Sequence, residues 1–436
     1  MSAADTSQSL RMRRPILLLV ALCVLGSSGL WAEEQTTSDL AASHPLSLSE
    51  CYALALKRSE TIAIQRERIE ETEGRFLQAL SSILPRASFV VSEKRQDGTG
   101  QSAFTLQRVP ERRFTFSQPL FAGFKEFAAM VGARAERRER TYQKARAEQL
   151  LLVDVADAFH LLLEQREDLR ALETTRTALA QRVDELKDRE RLGRSRPSEV
   201  ASALAQLRRT EADMELTRSQ ERIARQLLEF LTGLPHIEAI HDPELSLSPL
   251  EPEETYVAKI TMRPDVQASE EIWKVARAAV GVAQAKFWPT VNINGNRYTK
   301  RAGAAADVSW DVTLTVDVPL FQGGQAVGAV KEAASQARQA KLDYERVQRE
   351  ALLDIRDMYV KLQAAIARSE ALTKARDATE ESYRLQVEDY RLNLVNNLEV
   401  LQELHQLQDA QRDAIEAHHE AKRLYWQLRA ATGETL

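Results

Sequence analysis

The chain is written twice. Residues 119–123, Pro-Leu-Phe-Ala-Gly, return 200 positions later as Pro-Leu-Phe-Gln-Gly at 319–323. The same offset carries Leu152, Asp154 and Asp157 onto Leu352, Asp354 and Asp357, and Glu199-Val200 onto Glu399-Val400. It also carries Leu204 and Leu207 onto Leu404 and Leu407, and Thr232-Gly233 onto Thr432-Gly433. Upstream, an offset of 204 aligns Ile62, Ile69, Phe76 and Ile83 with Val266, Trp273, Val280 and Phe287, each set spaced by seven, and Pro85 with Pro289. Whatever supersecondary unit the first half forms, the second half is therefore expected to form again. The change of four in the offset marks a difference in loop length.

Each copy reads as a helix, two strand-like segments, a second proline (Pro119 or Pro319), and then a very long helix that turns back on itself. From 122 to 192 there is no proline and only Gly123 and Gly132 as glycines; from 320 to the C-terminus there is no proline at all. A helix of about 70 residues is a rod on the order of 100 Å long. Its apolar positions recur at spacings of three and four: Leu152, Ala156, Phe159, Leu163, then Leu172, Leu179, Val183, Leu186. The second copy has Leu352, Ile355, Tyr359, Leu362, Ile366, then Tyr383, Val387, Tyr390, Leu394. Such narrow seams, near the 3.5 period of coiled coils, suit helices standing side by side as a wall that is wet on two faces. Leu-Gly-Arg-Ser-Arg-Pro at 192–197 and Leu-Asn-Leu-Val-Asn-Asn at 392–397 are turn chemistry. Ser47 and Glu50 stand in capping-box spacing, and Pro264 suits the first position of a helix.

The expected organisation is a first repeat at 33–233, with strands about 85–119 and a helical hairpin about 123–231. A Pro-rich acidic connector follows at 234–254, then a second repeat at 255–436, with strands about 289–319 and a hairpin about 323–431. The clearest strand is 310–318: Trp310, Val312, Leu314, Val316 and Val318 share one face, and Asp311, Thr313, Thr315 and Asp317 the other. Phe114 and Phe116 alternate likewise with Arg113, Thr115 and Ser117. About nine alternating residues is the length a tilted strand needs to cross a bilayer core. By pattern alone, a half-buried sheet packed on helices fits equally well. Edges separate the two readings. Four strands cannot close on themselves, and open edges are not tolerated in lipid, so a membrane location requires several copies to complete one barrel.

Residues 1–32 read as a secretory signal: Arg11, Arg13 and Arg14, then a short apolar run at 16–25, with cleavage near Ala32. Leu22 stands before Cys23 where a lipidation site wants a small residue. Cleavage leaves Cys51 as a single thiol, which cannot form an internal disulfide and reads as a small buried hydrophobe. The net charge of −5, without a basic block, argues against nucleic acid as a partner.

These marks together resemble the TolC-like outer-membrane factor (outer membrane efflux protein) family over nearly the whole mature sequence. The carriers are Leu48 to Leu54 as Leu-x-x-x-x-Ala-Leu, the two Pro-Leu-Phe-x-Gly junctions, Gly193 with Glu199-Val200, Asn393 with Glu399-Val400, and the terminal Thr-Gly pairs. The resemblance implies a mainly α fold with a membrane β-barrel part. It implies long antiparallel coiled-coil helices forming a trimeric α-barrel, and four strands per chain completing a twelve-stranded barrel in the outer membrane of a Gram-negative-type bacterium. It implies a passive export duct of a tripartite efflux or type I secretion system, whose partners are two further copies, a periplasmic adaptor protein, an inner-membrane pump and outer-membrane lipid. Leu192, Gly193, Arg194 and Leu392, Asn393, Leu394 take the adaptor-docking turns. Glu399, Glu199 and Tyr390 take places at the periplasmic entrance. Trp310, Val312, Leu314, Val316, Phe114 and Phe116 take the lipid face. The family's gating Arg falls at Val395 and is absent. Read only from their position, Glu199 and Glu399 are ordinary acids in the first turn of a helix.

Nothing in the residues asks for catalysis, a cofactor or a metal. The seven histidines stand with no Cys or acid in ligand spacing, and no nucleophile elbow, phosphate loop or dinucleotide fingerprint is present. Asp154/Asp157 and Asp354/Asp357 read as solvated or salt-bridged wall positions. The alternatives to a duct are a periplasmic adaptor and a coiled-coil scaffold. An adaptor carries one hairpin flanked by β domains, whereas this chain shows two hairpins with strands at the opposite end.

Overall fold

The computed structural model describes residues 45–242 and 250–436. The signal segment, Cys23 and part of the connector lie outside the described residues. The first helices are α1 (Leu48–Arg58) and α2 (Glu60–Ser81), followed by strands β1 (Arg86–Arg95) and β2 (Arg108–Ala122). Next come α3 (Lys125–Arg191) and α4 (Pro197–Thr232). Beyond the connector lie the short α5 (Glu253–Val257), α6 (Pro264–Gln284), strands β3 (Thr290–Arg301) and β4 (Trp310–Asp317), and helices α7 (Gln325–Arg391) and α8 (Asn397–Ala431). Helices α3 and α7 are each 67 residues long, or about 100 Å.

Local chemistry sets the boundaries. Ser47 caps α1 in a full capping box with Glu50, and Ser59 ends α1 while capping α2 through the Ile62 N–H. Pro264 opens α6 at its first turn, where a missing N–H costs nothing. Pro119 departs from expectation. It does not end the first strand pair; β2 runs through it to Ala122, and the register slips between Pro119 and Phe121. A bulge is where a strand tolerates a residue without an N–H. The chain then passes from β2 into α3 through two left-handed residues, Gly123 (φ 67°) and Phe124 (φ 64°). Phe124 is held there by edge-on contacts with Phe121 (5.1 Å) and Trp288 (6.2 Å). The equivalent junction into α7 uses Gly323 and Gly324.

The four strands form one antiparallel sheet in the order β1-β2-β3-β4. Away from the sheet the helices stand in rows. Next to the strands the contacts run α2–α3–α6–α7, and farther away α4–α3–α8–α7. Thus α3 and α7 run the full length, while α2 with α4, and α6 with α8, divide it between them. Packing is concentrated in two clusters. One joins Leu48, Cys51, Tyr52 and Ala55 of α1 to Leu152, Phe159 and Leu162 of α3, Leu228 of α4, Ile237 and Ile240 of the connector, and Trp426 of α8. The other lies near the turns and joins Leu179, Val183 and Leu186 of α3 to Ala203 and Leu207 of α4 and to Leu401 and Leu404 of α8. Cys51 is fully buried in the first cluster, and burial, with Glu50 nearby, pushes its thiol up to about 12. It is a packing residue, not a nucleophile.

A Cβ on Gly123 would lie 2.6 Å from the Ala285 carbonyl oxygen and 2.8 Å from Trp288 Cβ, whereas one on Gly323 meets nothing within 4 Å. Gly323→Ala should therefore cost only the left-handed backbone, about 1–2 kcal/mol. Gly123→Ala should cost that plus the clash, and so lower the thermal midpoint by clearly more in side-by-side melts.

Candidate functional site

The sheet separates two chemistries. On one face Phe89 pairs with Phe114, their ring centroids 4.8 Å apart, and the row continues through Arg297 to Trp310. The next row is Ala87, Phe116, Gly295 and Val312. Ile293 pairs with Leu314, and Val291 with Val316. Phe114, Phe116, Trp310, Val312, Leu314 and Val316, the six strand positions singled out above, thus share this face, and all are exposed on the isolated chain. The other face is a hydrogen-bonded polar lattice. Thr115 Oγ1 donates to Asn296 Oδ1 (3.1 Å) and Ser117 Oγ to Asn294 Oδ1 (2.7 Å). Asn296 Nδ2 (2.8 Å) and Tyr298 Oη (2.7 Å) donate to the Asp311 carboxylate. An exposed apolar face of this extent marks a surface made for lipid or protein.

At the far end the two helical hairpins turn in the same way. Gly193 (φ 69°) and Asn393 (φ 57°) are both left-handed. The Gly193 N–H donates to Glu190 O and the Arg194 N–H to Arg189 O, both at 2.8 Å. The Asn393 N–H donates to Tyr390 O (3.0 Å) and the Leu394 N–H to Asp389 O (2.9 Å). Both are Schellman closures. Asn takes the Gly conformation because it tolerates left-handed φ better than other side chains. Leu192, Leu392 and Leu394 project from the turns at 67–70% exposure. Glu399 and Glu199 act locally: Asn396 caps α8 through the Glu399 N–H (3.1 Å) and also donates to the Glu399 carboxylate (2.7 Å), while Ser195 Oγ donates to Glu199 (2.6 Å).

Tyr390 is buried, which is unusual so close to a turn. Two guanidiniums of α3 stand over its ring, Arg182 at 3.6 Å and Arg189 at 4.7 Å from the centroid. Glu185 pairs with both, at 2.9 and 2.8 Å, and so screens their mutual repulsion. Arg182 Nε also donates to Asn397 Oδ1 (2.9 Å), which ties α3 to the start of α8 as well as to the end of α7. A desolvated cation–π contact is worth about 2 kcal/mol.

Residues 258–434 match the family model described as Outer membrane efflux protein. The matched residues all lie in the second half of the chain. The outer membrane protein TolC of Vibrio cholerae is 22% identical over 96% of this chain and 94% of its own length. Among solved structures, VceC of Vibrio cholerae superposes with a TM-score of 0.78 at 22% identity, covering 88% of this chain and 96% of that one. CusC gives 0.79 at 16% identity, covering 89% and 92%. These neighbours establish a mostly helical fold with a four-stranded antiparallel sheet. The family and its structural relatives are passive channels of the outer membrane efflux type, not enzymes.

Sequence reasoning missed Arg182, Arg189 and Asn397. Arg182 and Arg189 are seven apart on one helix face, but α3 carries a charge on nearly every turn, and nothing in the pattern marks these two. The acid pairs are structural: Asp157 accepts from Gln427 (3.2 Å) and Asp354 faces the buried Arg263 (3.4 Å). Tyr390→Ala and Arg182→Ala should each loosen the seam between the hairpins, speeding trypsin cleavage around residues 191–194 and 391 by about tenfold (about 1.4 kcal/mol). Tyr390→Phe should leave it unchanged, because the ring and not the hydroxyl makes the contact.

Proposed function

We propose that this chain is one subunit of a homotrimeric outer-membrane channel, the passive export duct of a tripartite efflux or type I secretion system. The observation that carries this reading is the sheet: four strands, an apolar exposed face, a polar hydrogen-bonded face, and unpaired edges at β1 and β4 among the described residues. Three copies joined edge to edge give a twelve-stranded barrel with Trp310, Val312, Leu314, Val316, Phe114 and Phe116 toward lipid and the polar lattice toward the lumen. The names of the relatives, TolC among them, and the matched family description support an outer-membrane location.

On this reading the rods cross the periplasm as two diverged copies of one structural repeat, joined by the connector at their middle. The equal lengths of α3 and α7 and the matching Schellman turns support the duplication. The turns at Leu192-Gly193-Arg194 and Leu392-Asn393-Leu394 dock a periplasmic adaptor, which couples the duct to an inner-membrane pump. Their exposed leucines suit such a partner. Tyr390, with Glu399 nine positions after it and Glu199 at the equivalent place after the first turn, lies at the entrance; the Arg182–Tyr390–Arg189 contact serves where the family's gating Arg is missing at Val395.

Planar-bilayer recording and lipid quenching test this together. The purified protein should form long-lived conducting channels, and brominated acyl chains should quench Trp310 in a variant retaining no other strand-region tryptophan. Tyr390→Ala should raise single-channel conductance and Tyr390→Phe should not. A water-soluble monomer without conductance would remove the proposal.

A further inference from the structure

Half-way along the rods, where the connector crosses them, α3 and α8 bury two histidines against each other. His160 is 1% and His419 2% exposed, and their ring centroids are 5.9 Å apart. Neither ring nitrogen of His160 has a hydrogen-bond partner among the described residues; Phe159 meets its ring edge-on at 5.5 Å. His418 adds a third ring, 5.3 Å from His419. An imidazole buried without a partner is tolerated in its neutral form, and charging it demands a compensating group.

The surrounding charges supply that compensation once. From α3, Glu167 lies 3.2 Å from His419 Nε2, while Glu164 is taken by Arg423 of α8 at 2.6 Å. Lys422 of α8 faces the pair and holds Asp242 of the connector at 2.5 Å. A cavity of about 660 Å³ adjoins His419 and His418. It is also lined by His241 of the connector, by Arg166 and Arg170 of α3, and by Glu221 and Arg225 of α4. There Glu221 is shared by Arg166 (3.1 Å) and Arg225 (2.5 Å). The Glu167 carboxylate is thus placed against His419. A proton on His160 meets His419, Lys422 and Arg423, and the one carboxylate acting against them among these groups, Asp242, is already held by Lys422.

We propose that the His160–His419 pair is an acid-sensitive joint between the two helical hairpins, and that protonation of His160 frees the connector from α3 and α8. The joint does not depend on the channel reading. Burial first, and then His419, hold the His160 imidazole far below its ordinary 6.5; burial and His419 move His418 in the same direction. A base depressed in the folded state leaves the opened chain binding more protons, so its stabilising effect is complete above 6.5 and is lost as the pH falls below that value. The contacts at stake are those of the connector. The Leu46 N–H donates to Ala239 O (3.1 Å), the His241 N–H to Leu46 O (2.9 Å), and Arg166 to Glu238 O (3.0 Å).

Hydrogen–deuterium exchange on the full mature protein in detergent tests this, read on the peptide holding the His241 amide at pH 7.5 and 5.0 and corrected for the chemical exchange rate. In the wild type, opening should accelerate about tenfold or more on acidification; in His160→Phe it should change by less than about threefold. Equal acid acceleration in both, or none in the wild type, overturns the proposal. If His160→Phe fails to fold, His160→Gln gives the same comparison, because it too removes the titrating ring; its failure to blunt the acid response is equally decisive.

Discussion

A β-sheet that ends in the open leaves a row of backbone donors and acceptors along each edge. In this chain β1 and β4 carry those rows, on a sheet whose one face is phenylalanine, valine, leucine and tryptophan. In water the apolar face is a liability, and in lipid the edges are. The proposed pairing of β4 of one copy with β1 of the next, until the ring closes, would resolve both together. The helical part follows the same logic: α7 stands at one flank of the rows, α2 and α4 at the other, and the flanks carry exposed large apolar side chains such as Leu216, Ile223 and Phe230 of α4 and Leu353 and Val360 of α7.

Between these flanks the rods are held economically. Two apolar clusters, one at the level of the connector and one near the turns, bind the helices, and the surfaces between are lined with Arg, Glu and Asp in short ion pairs. Exposed pairs of this kind add little each. What they provide is a surface wet on both sides, which the proposed wall between two aqueous spaces would require. The arginine–tyrosine stack lies at the last point before the hairpins part, two turns beyond Tyr383, through which α7 packs on the cluster near the turns.

Much of this was legible in the sequence because it is local or periodic. The alternation from Trp310 to Val318 maps onto β4 and its exposed face, the capping box at Ser47 is present as written, and Asn393 adopts the left-handed conformation its place opposite Gly193 demands. Pro119 was misread because proline normally ends a strand, and a bulge that accommodates it leaves no sequence mark. The stack on Tyr390 and the His160–His419 pair were invisible for another reason: their members come from different helices, about 200 or more positions apart, and contacts across a coiled-coil wall obey no spacing rule.

The central claim is that identical sheets complete one another edge to edge, and cysteine cross-linking between β1 and β4 examines it most directly. Single cysteines are placed in the middle of each strand, in one chain, at positions on the polar face. Oxidation of the membrane-extracted protein should then give a covalent ladder of one, two and three chains and stop there, with the native Cys51 unreactive in its buried site. A product confined to the single chain, with both new thiols free to react with a water-soluble reagent, would contradict the account.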